Sequence, residues 1–241
     1  MPFEARDLNL TNPHKGFLHF VLYTEAGRGV ASASLNAELD IEAPQTITPY
    51  FQEWRSRLER CEPDALHCTL VPSSQIPSLF HPCVTVDPNG GRAATSGPRC
   101  PCRPTYYDPA FGLPVVGEHA GPAGTDRWSY TTYAPLALRP DDVFSSFITS
   151  RGLFWARTAK GLLSILPQKH GMGYNLGYSG GGPHALAAYL TQIARNDGRP
   201  TPAGTSYDDA HPAMVAWTQS SAAERRTNEL TLGDLQAKIA S

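Results

Sequence analysis

Ala31, Ala33, Leu35, Ala37, Leu39 and Ile41 alternate with Ser32, Ser34, Asn36, Glu38 and Asp40. No other feature of the chain constrains its fold so tightly. A period of two places every apolar side chain on one face of an extended strand and every polar one on the other. The segment therefore belongs to a sheet with one buried and one wet face. Residues 17–23 (FLHFVLY) form a β-type run just upstream, and the intervening 24–29 (TEAGRG) is turn material, which predicts a hairpin. Residues 153–157 (LFWAR) and 162–166 (LLSIL) flank 158–161 (TAKG) as a second hairpin, and Met172, Tyr174, Leu176 and Tyr178 alternate as a further strand. Strands that arrive as hairpins, without long helices between them, predict an α+β fold rather than a doubly wound α/β sheet.

Helices flank these strands. Thr48 can cap one that starts at Pro49, with Phe51, Trp54, Leu58 and Cys61 on its apolar face. Glu53 with Arg57, and Arg55 with Glu59, then form outward (i, i+4) pairs. Residues 140–150 read as a short helix with Val143, Phe144, Phe147 and Ile148 inward and Gly152 as its terminator. Asp141 and Asp142 would occupy its first turn, where negative charge is favourable. A longer helix spans about 183–195, with Leu186, Tyr189, Leu190 and Ile193 on one face and Asn196-Asp197-Gly198 as its stop. Near the end, Ser221 with Glu224 and Thr231 with Asp234 fit the [ST]-x-x-[DE] start signal, and Leu232, Leu235 and Ile239 form the inner face of the last helix.

At 241 residues the chain is long enough for one domain with a real core, read here as 1–241. Within it, 62–140 is a Pro/Cys-rich irregular insertion that holds 13 of the 22 prolines. The formal net charge is −2 and there is no long basic run, so charge gives no support for nucleic-acid binding and leaves a protein partner as the expectation. The first residues lack a basic segment followed by an apolar run, and no stretch reaches the roughly 18 apolar residues of a membrane span. The expectation is a soluble cytoplasmic protein whose cysteines are thiols or metal ligands rather than disulfides.

All five cysteines fall between 61 and 102. Structural zinc takes four soft or borderline ligands in a tetrahedron, usually delivered as close pairs. The pairs here are His67-Cys68, His81-x-Cys83 and Cys100-Pro101-Cys102, within a candidate set that also includes Cys61. The expected ligands are Cys83, Cys100 and Cys102, completed by Cys68 or His81, and zinc would anchor a stretch that lacks a core of its own. The alternative reading makes Cys61 and Cys68 small core residues.

The stretch Gly177-Tyr178-Ser179-Gly180-Gly181-Gly182-Pro183-His184-Ala185-Leu186 resembles the nucleophile elbow of bacterial α/β-hydrolases. That resemblance implies Ser179 as nucleophile and the Gly180 N–H as an oxyanion-hole donor. A serine hydrolase of the esterase or amidase type would then draw its base from His211 and its orienting carboxylate from Asp208 or Asp209. Only 62 residues follow Ser179, and no strand is read among them. Tyr174-x-x-Gly177-Tyr178-x-Gly180-x-Gly182-Pro183-x-x-Leu186-Ala187 is also similar to a segment of small proteins from bacterial plasmids and phages. In that pattern the serine position is not fixed. That resemblance implies an origin in a mobile genetic element and no known activity. Because the chain shows neither the sheet nor well-placed partners for Ser179, the expectation is a non-catalytic binding or accessory protein in which 177–183 is a glycine-rich strand-to-helix turn.

Overall fold

The computed structural model describes residues 37–80, 103–119, 127–171, 173–224 and 227–240, with the backbone of 84–86 and 92–94. The first predicted hairpin, at 17–29, lies outside the described residues, as does the alternating run before residue 37. Its last turn of alternation is strand β1 (Glu38–Ile41), where Leu39 and Ile41 are buried and Glu38 and Asp40 exposed. A short helix α1 (Ala43–Thr46) follows, then α2 (Pro49–Ser56), whose Thr48 cap accepts the Phe51 N–H at 3.3 Å. Cys61 is not on that helix. It ends strand β2 (Glu59–Cys61), because the helix closes at Arg57.

Helices α3 (Ala65–Cys68) and α4 (Ile76–Leu79) are short, and strands β3 (Val84–Val86) and β4 (Arg92–Ala94) pair with each other. The Pro/Cys-rich stretch then supplies three partners: β5 (Thr105–Asp108), β6 (Leu113–His119) and β7 (Trp128–Tyr133). Their period was hidden because β6 is buried on both faces, so Val115 turns to one core and Val116 to another. These strands form an antiparallel sheet in the order β1-β7-β6-β5-β2.

The segment read as a helix at 140–150 is instead strand β8 (Phe144–Ser150). The spacing of Phe144, Phe147 and Ile148 mimics a helical face because β8 too is buried on both sides, with Phe147 facing one core and Ile148 the other, whereas Val143, expected inward, precedes the strand and is exposed. Gly152 is not a helix stop but half of a two-residue turn, with Arg151 at φ 52° and Gly152 at φ 77°, the paired positive φ of a type I′ hairpin. Asp142 sits before the strand, fully buried, and holds Arg139 through two hydrogen bonds of 2.7 and 3.0 Å. β9 (Leu153–Thr158) and β10 (Leu163–Ile165) form the predicted second hairpin. The last 62 residues do contain a strand, β11 (Asn228–Thr231), which pairs antiparallel with β8 and closes the second sheet as β10-β9-β8-β11.

The remaining helices are α5 (Gly181–Arg195), α6 (Pro212–Thr218), α7 (Ser221–Glu224) and α8 (Leu232–Ala240). α8 opens with the predicted reciprocal cap: the Thr231 N–H reaches Asp234 at 2.8 Å and the Asp234 N–H reaches Thr231 Oγ1 at 3.1 Å. The fold is thus α+β, in layers. One face of the first sheet and one face of the second share a core with α2, built around Trp54, Phe51, Tyr130 and Trp155. The other face of the second sheet packs on α5, where Leu186, Tyr189, Leu190 and Ile193 meet Phe147 and Phe154. Each such aliphatic side chain contributes about 1.5–3 kcal/mol by leaving water. A third cluster, with Leu113, Val116 and Leu79, covers the outer face of the first sheet. No helix among the described residues is long and apolar enough to cross a membrane.

Candidate functional site

The glycine-rich turn enters α5 without a strand before it. Residues 173–180 are irregular, and Tyr174 and Leu176 are buried because the segment packs directly on the core of α5. The Tyr174 hydroxyl donates to the Pro167 carbonyl (3.1 Å), the Leu176 N–H to the Asn175 side chain (2.8 Å) and the Gly177 N–H to the Thr218 carbonyl (2.9 Å). These bonds, two of them local and one to the end of α6, replace a ladder. Gly177 has φ 87°, a conformation only glycine adopts cheaply. The Tyr178 ring then lies across the turn, and a Cβ on Gly180 would run into it.

Ser179 is exposed beside Tyr178. Among the described residues the non-glycine positions with positive φ are Arg151 and Asp197, so Ser179 lacks the strained backbone of a nucleophile elbow. Gly180 caps α5 with no side-chain acceptor, and Pro183 has no N–H. The hydroxyl of Tyr207, a residue that is itself exposed, approaches Gly181, and its ring meets that of His184 edge-on at 5.7 Å.

His211 is placed elsewhere. Its N–H donates to Thr191 Oγ1 (3.1 Å), and its Nδ1 accepts the Ala213 N–H (3.3 Å) as the cap of α6. Thr191 lies ten residues along α5 from Gly181, which at 1.5 Å per residue is about 15 Å. Asp208 is exposed in the single turn Tyr207–Asp209, its own N–H donated to Ser206 Oγ at 3.4 Å. The two residues named as base and orienter are therefore held by the far part of α5 and by local caps. The turn keeps Tyr178, Ser179, Tyr207 and His184 around its glycines.

Of the expected zinc ligands, His81, Cys83, Cys100 and Cys102 lie outside the described residues. Cys68 packs at the end of α3 against the outer cluster of Leu70 and Leu79, and burial together with Asp64 raises its thiol pKa. Among the described residues no group of three or more His, Cys, Asp or Glu side chains is arranged to hold a metal ion.

A second cluster of reactive side chains joins β2, α3 and β5. Asp64 caps α3 by accepting the Leu66 and His67 N–H groups on Oδ1 at 2.9 and 3.3 Å. The same oxygen lies 2.8 Å from His67 Nδ1, while the Tyr107 hydroxyl donates to Oδ2. Burial opposes the Asp64 charge, but the bonds from Tyr107 and His67 prevail and hold its carboxyl below the ordinary range. The His67 ring is fully buried, with Nε2 at 2.9 Å from the Tyr106 carbonyl and 3.6 Å from Cys61 Sγ. Burial raises the Cys61 thiol; the Thr105 hydroxyl partly offsets this, and Asp64 and Glu62 add to it. Sequence spacing points to His67 and Cys61 as candidate metal ligands and not to Asp64 or Tyr107. The available signal was Asp64 three residues before His67, the spacing of a capping box. The chain matches no protein-family model, no curated protein and no solved structure.

Proposed function

We propose that the chain is a non-catalytic binding or accessory protein that presents the turn before α5, flanked by Tyr178 and Tyr207, to its partner. One observation carries this reading. His211, the histidine a serine mechanism would draw on beyond the turn, is anchored at Thr191, about 15 Å along α5 from the glycines. A general base must come within hydrogen-bond reach of the hydroxyl it deprotonates. Ser179 also stands on an unstrained backbone, and His184 turns its ring to Tyr207. Tyrosines with exposed rings are suited to contact, since each offers apolar area with a polar tip.

The test is hydrolysis of a p-nitrophenyl ester by the wild-type chain and by Ser179→Ala. The expected result is the same background rate for both. A rate in the wild type that Ser179→Ala abolishes would overturn the proposal in favour of a serine hydrolase.

The proposal includes a structural zinc on Cys83, Cys100 and Cys102 with His81. Its support is the way the flanks are tied. The Arg103 N–H donates to the Ser78 carbonyl at 3.4 Å, its guanidinium binds Ser78, Gln75 and Glu118, and β3 pairs with β4 from Val84 opposite Ala94. The chain thus leaves and returns at one place, with two candidate ligands on each side. Cys68 fits less well, because zinc takes a thiolate and the Cys68 surroundings favour the thiol. Elemental analysis of protein purified without added metal should find about one zinc per chain, the stoichiometry of a single four-ligand site.

A further inference from the structure

We draw no further inference here: the strongest candidate, the surface patch at the glycine-rich start of α5 where the hydroxyls of the exposed Tyr178 and Tyr207 approach Gly182 and Gly181, belongs to the site already described, and nothing in the structure shows what covers it.

Discussion

At the scale of single residues, the best-defined electrostatic arrangement is the one around Asp64. Its folded-state pKa lies below the ordinary value of 3.8 because the bonds from Tyr107 and His67 outweigh burial. A depressed carboxylate contributes stability that is fully present above its unfolded-state pKa and is lost as pH falls through the folded value. Asp64→Asn keeps an oxygen for the helix cap but removes the charge. Urea midpoints measured from neutral pH down to about pH 3 should therefore fall less steeply in Asp64→Asn than in the wild type. An unchanged slope would mean that the carboxylate has no preferential partner in the folded chain. Part of this was legible in advance. Asp64, His67 and Cys61 stand close in sequence, but Tyr107 and the Tyr106 carbonyl come from a strand some 40 residues later, through the β2–β5 pairing. No local spacing encodes that meeting. The expected pairs Glu53–Arg57 and Arg55–Glu59 show the same limit, since Glu53 binds Arg157 and Arg57 binds Asp108 across the fold.

At the scale of elements, signals that act within one helical turn predict the structure directly. Thr48 before Pro49, Asn196-Asp197-Gly198 after α5 and Thr231 with Asp234 are capping signals, and a cap depends on residues within one helical turn. Asp197 and Gly198 take positive φ, and the Gly198 N–H closes α5 onto the Ile193 carbonyl at 3.0 Å. β8 departs from the expected helix because burial on both faces erases the period of two, and the remaining pattern suits a helix equally. The decisive element is the turn. Gly152 at φ 77° has nothing closer to a prospective Cβ than the Gln45 side chain, at 3.8 Å. Gly152→Ala therefore meets no clash and pays only for the left-handed backbone, about 1–2 kcal/mol. A thermal midpoint lowered by several degrees with an unchanged circular dichroism spectrum is the expected outcome. An unchanged midpoint would show that the hairpin turn tolerates another conformation.

At the scale of the whole molecule, α2 is the joint between the two sheets. Asp108 at the end of β5 is buried and accepts from Trp54 Nε1 at 2.9 Å and from Arg57 at 2.7 and 3.2 Å. Arg57 also donates to the Leu163 carbonyl of β10, on the second sheet. Removing one partner of a buried ion pair leaves the other uncompensated, so Asp108→Ala should cost about 3–5 kcal/mol in urea unfolding, well above a typical surface substitution. None of this joint was visible as a pattern, because its parts lie some 50 residues apart. The candidate site divides in the same way. The glycine-rich turn and its helix were legible, since glycines and a following proline act locally. The position of His211 was not, since it depends on how 205–211 runs along α5. That position decides between contact and chemistry at Ser179, and labelling with a fluorophosphonate probe tests it most directly. Folded wild-type protein should show no adduct on Ser179 by mass spectrometry. A stoichiometric adduct on Ser179, absent after Ser179→Ala, would contradict the account.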